Sequence, residues 1–153
     1  MNKISFGIIF TSFITVGLIV SCQTGPTHRK TTKVTRLEMN LSAFGVESDD
    51  FPSVSAIIDF KTKFSLCKKT YFTPALEPST YTLTEEEIDT IASLLESTDL
   101  RELSNRYKMS ATDMPTSTTT IFLGDAKFEI EDYGLMAPEP IQKIYKIIYK
   151  LQY

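Results

Sequence analysis

The sequence predicts an α+β domain: an antiparallel β-sheet with two main helices packed on one face, in the order β-β-β-α-β-β-α. Three observations predict it. Period-two alternation marks strands between residues 36 and 60 and again between 118 and 132. A capped apolar stripe of helical period starts at Thr84, and a second follows Pro138. Strands gathered apart from helices indicate α+β, because in α/β chains the two alternate.

The elements follow in order. Leu37, Met39 and Leu41 alternate with Glu38, Asn40 and Ser42, which reads as a half-buried strand. Residues 44–52 hold Gly45, Asp49, Asp50 and Pro52 and read as a loop. Val54, Ala56, Ile58 and Phe60 then alternate with Ser53, Ser55, Ile57 and Asp59, a second strand. A third, shorter strand is expected over 68–73, with Pro74 and Pro78 bounding an extended crossing.

Thr84-Glu85-Glu86-Glu87 has the form of a capping box. The Thr84 hydroxyl accepts from the amide three residues on, and Glu87 reaches back. Three carboxylates in the first turn also suit the positive end of the helix dipole. Ile88, Ile91, Ala92 and Leu95 supply one apolar face, and the helix is expected to stop near Ser97-Thr98-Asp99. Residues 106–117 read as a polar loop. Residues 118–132 read as a hairpin about Gly124-Asp125, with glycine first as a type II′ turn requires. Phe128, Ile130 and Asp132 share one face of its second strand; Lys127, Glu129 and Glu131 share the other. The last helix opens at Pro138-Glu139-Pro140, buries Ile141, Ile144, Tyr145 and Ile148, and carries Lys146 and Lys150 near its negative end.

The first 33 residues follow other rules. Lys3 precedes the uncharged run 6–20, which closes on Ile19-Val20-Ser21-Cys22. A short basic region, an apolar core and a small residue before a cleavable bond make a secretory leader. The run falls short of the roughly 20 residues a spanning helix needs. The last four residues resemble a bacterial lipobox, which implies that Cys22 is acylated and becomes the mature N-terminus. Gln23 follows the cysteine, where an Asp would resemble an inner-membrane retention signal, so the expected location is the outer membrane. No acidic cluster follows, which points to the periplasmic face. The expected organisation is a leader over 1–21, a Gly-Pro- and Thr-bearing flexible linker over 22–33, and one α+β domain over 34–153.

Composition excludes several classes. Formal net charge is −3, and the leader contributes one Lys without an acid. An acidic mature chain lacks the basic patch that nucleic acid requires. The one His, His28, lies in the linker, so no Cys/His metal spacing exists and no metal or cofactor is expected. With Cys22 acylated, Cys67 has no intramolecular partner and reads as a thiol packed like a small hydrophobe.

Two constellations touch on catalysis. Ser65-Leu66-Cys67-Lys68 has the Ser-x-x-Lys form, whose chemistry needs both side chains on one helical turn. Here it falls among strands, where positions i and i+3 point to opposite faces. Asp113 and Asp132 are the carboxylates that could form an acid/base pair, provided they converge in one cleft. The structural reading gives each a turn: Asp113 before Met114-Pro115, and Asp132 before Tyr133-Gly134. Tyr133, Tyr145, Tyr149 and Tyr153 could line a binding surface or edge the core.

Leu83-Thr84-Glu85-Glu86-Glu87, Asp113-Met114-Pro115, Asp132-Tyr133-Gly134 and Ala137-Pro138 together resemble the domain-of-unknown-function 6438 family. The resemblance runs from about Arg36 to the end and is specific after Leu83. It implies a secreted or lipid-anchored protein of Bacteroidota type and carries no established activity. Family members usually bear a Cys-Phe-Gly-x-Cys-Pro segment after the first strand. This chain has Ala43-Phe44-Gly45 and, after a longer acidic stretch, Phe51-Pro52, so both cysteines are missing.

Two functions follow. The favoured one is a lipid-anchored, non-catalytic envelope module that binds a protein, glycan or small ligand, with a candidate pocket at Asp113, Asp132, Tyr133 and Pro138. The alternative is an envelope hydrolase using Asp113 and Asp132. Convergence of those two carboxyls separates them.

Overall fold

A computed structural model describes residues 33–42 and 48–150. The leader, Cys22 and all but the last residue of the expected linker lie outside the described residues, as do Ala43-Phe44-Gly45 and Tyr153.

Seven strands and two helices are present: β1 (Arg36–Leu41), β2 (Ser53–Asp59), β3 (Phe64–Thr70), β4 (Ser79–Tyr81), α1 (Glu85–Ser97), β5 (Arg106–Lys108), β6 (Thr116–Leu123), β7 (Ala126–Tyr133) and α2 (Glu139–Tyr149). The strands form one sheet in the order β4-β3-β2-β1-β6-β7-β5. The α+β class holds, with two corrections. The order gains β4 and β5, and the sheet is mixed rather than antiparallel, because β5 runs parallel to β7. Both added strands are three residues long, below the length at which alternation registers.

Strand β3 also begins four residues before the expected start. Its pattern is inverted: Phe64 and Leu66 are exposed while Ser65 and Cys67 are buried. A hydrophobicity reading would put the wrong pair inside.

Register explains the core. Leu37, Met39 and Leu41 of the central strand pair with Ile58, Ala56 and Val54 on one side and with Ile121, Thr119 and Ser117 on the other. Ile130 and Asp132 extend the same rows across β7. All of these are buried. The inward face therefore grades from aliphatic on β1 and β2 to hydroxyl and carboxylate on β6 and β7. Two α2 tyrosines answer that polar end. The Tyr149 and Ser117 hydroxyls lie 2.7 Å apart, and the Tyr145 hydroxyl donates to Asp132 Oδ2 at 3.1 Å. Their rings stack with centroids 5.5 Å apart.

Helix α1 is capped as the sequence predicts. The Glu87 amide donates to Thr84 Oγ1 at 3.2 Å, and the Thr84 amide donates to Glu87 Oε2 at 2.9 Å. Ile88, Ile91 and Leu95 are buried, each contributing on the order of 2 kcal/mol. The hairpin turn also holds: Gly124 has φ 65° and Asp125 is not among the residues with positive φ, the pattern of a II′ turn. No helix among the described residues is long and apolar enough to cross a membrane.

Candidate functional site

The site grows from the end of β7. Tyr133 and Asp132 are neighbours, so their side chains leave the strand on opposite faces. Asp132 points inward and is 0% exposed. The chain then turns through Gly134 at φ 91° and Leu135 at φ 54°. A side chain at Gly134 would sit 2.6 Å from Met109 Cβ, so both space and backbone demand glycine. A bulky residue such as Leu135 in the left-handed region is strained and persists only where neighbours hold it. Asp132 is the main hold. Its Oδ1 accepts from the Met136 amide at 2.7 Å, and its Oδ2 from the Ala137 amide at 2.8 Å as well as from Tyr145. Burial, and then the charge of Asp132, push the Tyr145 phenol up, which keeps it a donor.

On the outward side, residues 109–115 are laced to this corner. The Met109 amide donates to the Tyr133 carbonyl at 2.9 Å, and the Gly134 amide to the Pro115 carbonyl at 2.8 Å. The Met114 amide donates to the Tyr133 phenol oxygen at 3.3 Å. A groove of about 340 Å³ opens beside this lacing. Among the described residues, strand β5 provides Arg106, Tyr107 and Lys108; Glu131 and Tyr133 come from β7; Ala111 and Thr116 also line it. Parallel register sets Arg106 beside Glu131 and Lys108 beside Tyr133. Arg106 pairs with Glu131 at 3.1 Å, and Lys108 makes no ion pair among the described residues. The Ser104 hydroxyl donates to the Arg106 carbonyl at 2.8 Å and accepts its amide at 3.2 Å. This occupies part of the open strand edge, where another chain could otherwise add.

Of the expected site residues, Tyr133 lines the groove. Asp113 sits in the laced loop, exposed, at φ 59°, and its carboxyl is not in the lining. Pro138 is exposed as the N-cap of α2 and stands outside the groove. Asp132 faces the core with both oxygens taken. An accessible cleft cannot hold both Asp113 and Asp132 when one of them is wholly buried, so the acid/base pair is not assembled. The Ser-x-x-Lys residues part as strand geometry requires: buried Ser65 accepts the Leu83 amide at 2.8 Å, and Lys68 is exposed.

Arg106, Tyr107 and Lys108 escaped the sequence reading because two charges in three residues look like loop. An aromatic between two cations is the pattern of an edge strand with one face on the core, but three residues are too few for that alternation to register. A larger hollow of about 720 Å³ runs along Glu86, Asp89, Thr90, Ser93, Leu94 and Ser97. Among the described residues its lining comes from α1, on the helix's exposed side, and brings no second element to the hollow, so the smaller groove is the better candidate. No cluster of metal-ligating side chains occurs among the described residues.

The family model described as Domain of unknown function (DUF6438) matches residues 50–152. The chain belongs to this family. No curated protein and no solved structure matches it. The DUF6438 match begins at residue 50 rather than near Arg36, so the central strand β1 stands outside the matched span. Inside the span, two of the segments that carried the resemblance meet: Met114-Pro115 is laced to Tyr133-Gly134, next to the groove.

Proposed function

We propose that the protein is lipid-anchored through Cys22 to a bacterial outer membrane, on the periplasmic face, and presents a non-catalytic DUF6438 binding domain. The anchor rests on one observation, the Ile19-Val20-Ser21-Cys22 sequence at the end of an apolar leader. The binding role rests on the groove lined by Tyr133, beside which the Met114-Pro115 segment is laced to Tyr133-Gly134. The groove's partner is an envelope protein or glycan, or a small ligand reached from the periplasm. In this reading α1 and α2 lie side by side over one sheet face. The buried residues of both join one core cluster, while Phe64, Ile57 and Leu66 on the other face are 52%, 38% and 43% exposed. That arrangement leaves the outward face and groove open to partners.

Fatty-acid labelling and fractionation test the anchor. The native chain takes up label and stays with the membrane, and Cys22→Ala takes up none and becomes soluble. A Cys22→Ala chain that stays in the membrane fraction contradicts the proposal.

A further inference from the structure

The geometry points to a carboxylate-bearing ligand for the groove, an acidic sugar or the free end of a peptide. This deepens the binding reading and rests on it. Among the described residues the lining holds two cations, Arg106 and Lys108, against one carboxylate, Glu131. That sign opposes the formal net charge of −3 of the whole chain. The Arg106–Glu131 pair is 68% and 50% exposed on its two sides, so it yields readily to a competing anion. Lys108 lies two residues from Arg106 on the same strand face, about 7 Å along the strand. It has no charge partner among the described residues, so an incoming anion meets a cation not already engaged.

The surplus of one positive charge matches a single carboxylate. A dianionic phosphate monoester would leave one negative charge uncompensated beside Glu131. Polar contacts suit the same guest. The Tyr133 phenol oxygen already accepts the Met114 amide, and its own proton has no acceptor among the described residues. It is therefore available to a ligand oxygen, with the Thr116 hydroxyl also in the lining. A volume of about 340 Å³ lies at the small end of ligand pockets, enough for about one sugar ring or two amino-acid residues.

Calorimetric titration of the full chain in detergent tests this. The probes are galacturonate and N-acetyl-dialanine, each beside its neutral counterpart, the methyl ester and the C-terminal amide. The expected result is binding of one acid, at least tenfold weaker for its neutral form and weakened by added salt. Whichever acid binds identifies the source of the carboxylate. Lys108→Gln weakens that binding about tenfold. Lys68→Gln, an exposed lysine on the same sheet face, leaves it unchanged. Lys108 is itself exposed, so its substitution leaves the fold intact, which circular dichroism checks. Equal binding of acid and neutral forms, lost in Tyr133→Ala but not in Lys108→Gln, overturns the carboxylate while leaving the groove as the site. Failure of all four probes to bind, or binding insensitive to both variants, overturns the inference and the groove together.

Discussion

Asp132 shows how one buried carboxylate organises a corner. Among the described residues its oxygens meet three donors: the Met136 amide, the Ala137 amide and the Tyr145 hydroxyl. An asparagine there must turn its NH₂ toward one of the two backbone donors. Asp132→Asn is therefore expected to lose about 2–3 kcal/mol of stability, read as a lower urea midpoint. A loss below about 0.5 kcal/mol would mean the corner is held by other contacts. Cys67 is the second buried group with a chemical consequence. It is 0% exposed, and burial pushes its thiol up despite the Tyr81 hydroxyl beside it. A thiol that is both covered and protonated is a poor nucleophile. Labelling of Cys67 by a disulfide reagent should follow global unfolding, accelerating in urea in step with loss of circular dichroism. Rapid labelling of the native chain would contradict this packing.

At the scale of elements, α1 offers the cleanest test. Its capping box is tied to α2 because the Lys150 ammonium donates to Glu87. Burial pushes the Glu87 carboxyl up, but the bonds from Lys150 and from the Thr84 amide and hydroxyl outweigh it, and the net shift is downward. A carboxyl lowered on folding stabilises above its ordinary value near 4.5, and the stabilisation fades as pH falls through the lowered folded value. Thr84→Ala should cost about 1 kcal/mol at neutral pH. Glu87→Gln should flatten the acid limb of the stability curve, and a limb of unchanged slope would contradict the assignment.

The elements also show what a sequence can carry. The capping box, the Gly124 turn and the α2 stripe were legible because each has a local physical signature. Strand β3 was misplaced because its exposed face carries Phe64 and Leu66, while Ser65 and Cys67 lie inside. Ser65 is tolerated there because the Leu83 amide satisfies it, a partner 18 residues away that no local window sees. Strands β4 and β5 exist only through their neighbours, so nothing within three residues announces them. The candidate site was half legible for the same reason. Tyr133 and the Asp113-Met114-Pro115 loop could be picked out one by one. Their meeting, and the cations of β5 beside them, depend on a parallel pairing set by the fold as a whole.

For the whole molecule, the account joins two parts that the sequence keeps separate. A folded domain carries a polar groove at the β5 edge of its sheet, and the proposed anchor lies in the N-terminal segment. The domain's acidic balance disfavours attachment through anionic lipid headgroups. One acyl chain alone holds only marginally, so the proposed anchor requires more than one chain on Cys22. The most direct measurement is the mass of the mature N-terminal peptide from protein purified out of the envelope. The account predicts a peptide that starts at Cys22 and carries a diacylglyceryl group on its sulfur. An unmodified Cys22 thiol, or a peptide that still extends into residues 1–21, would contradict it.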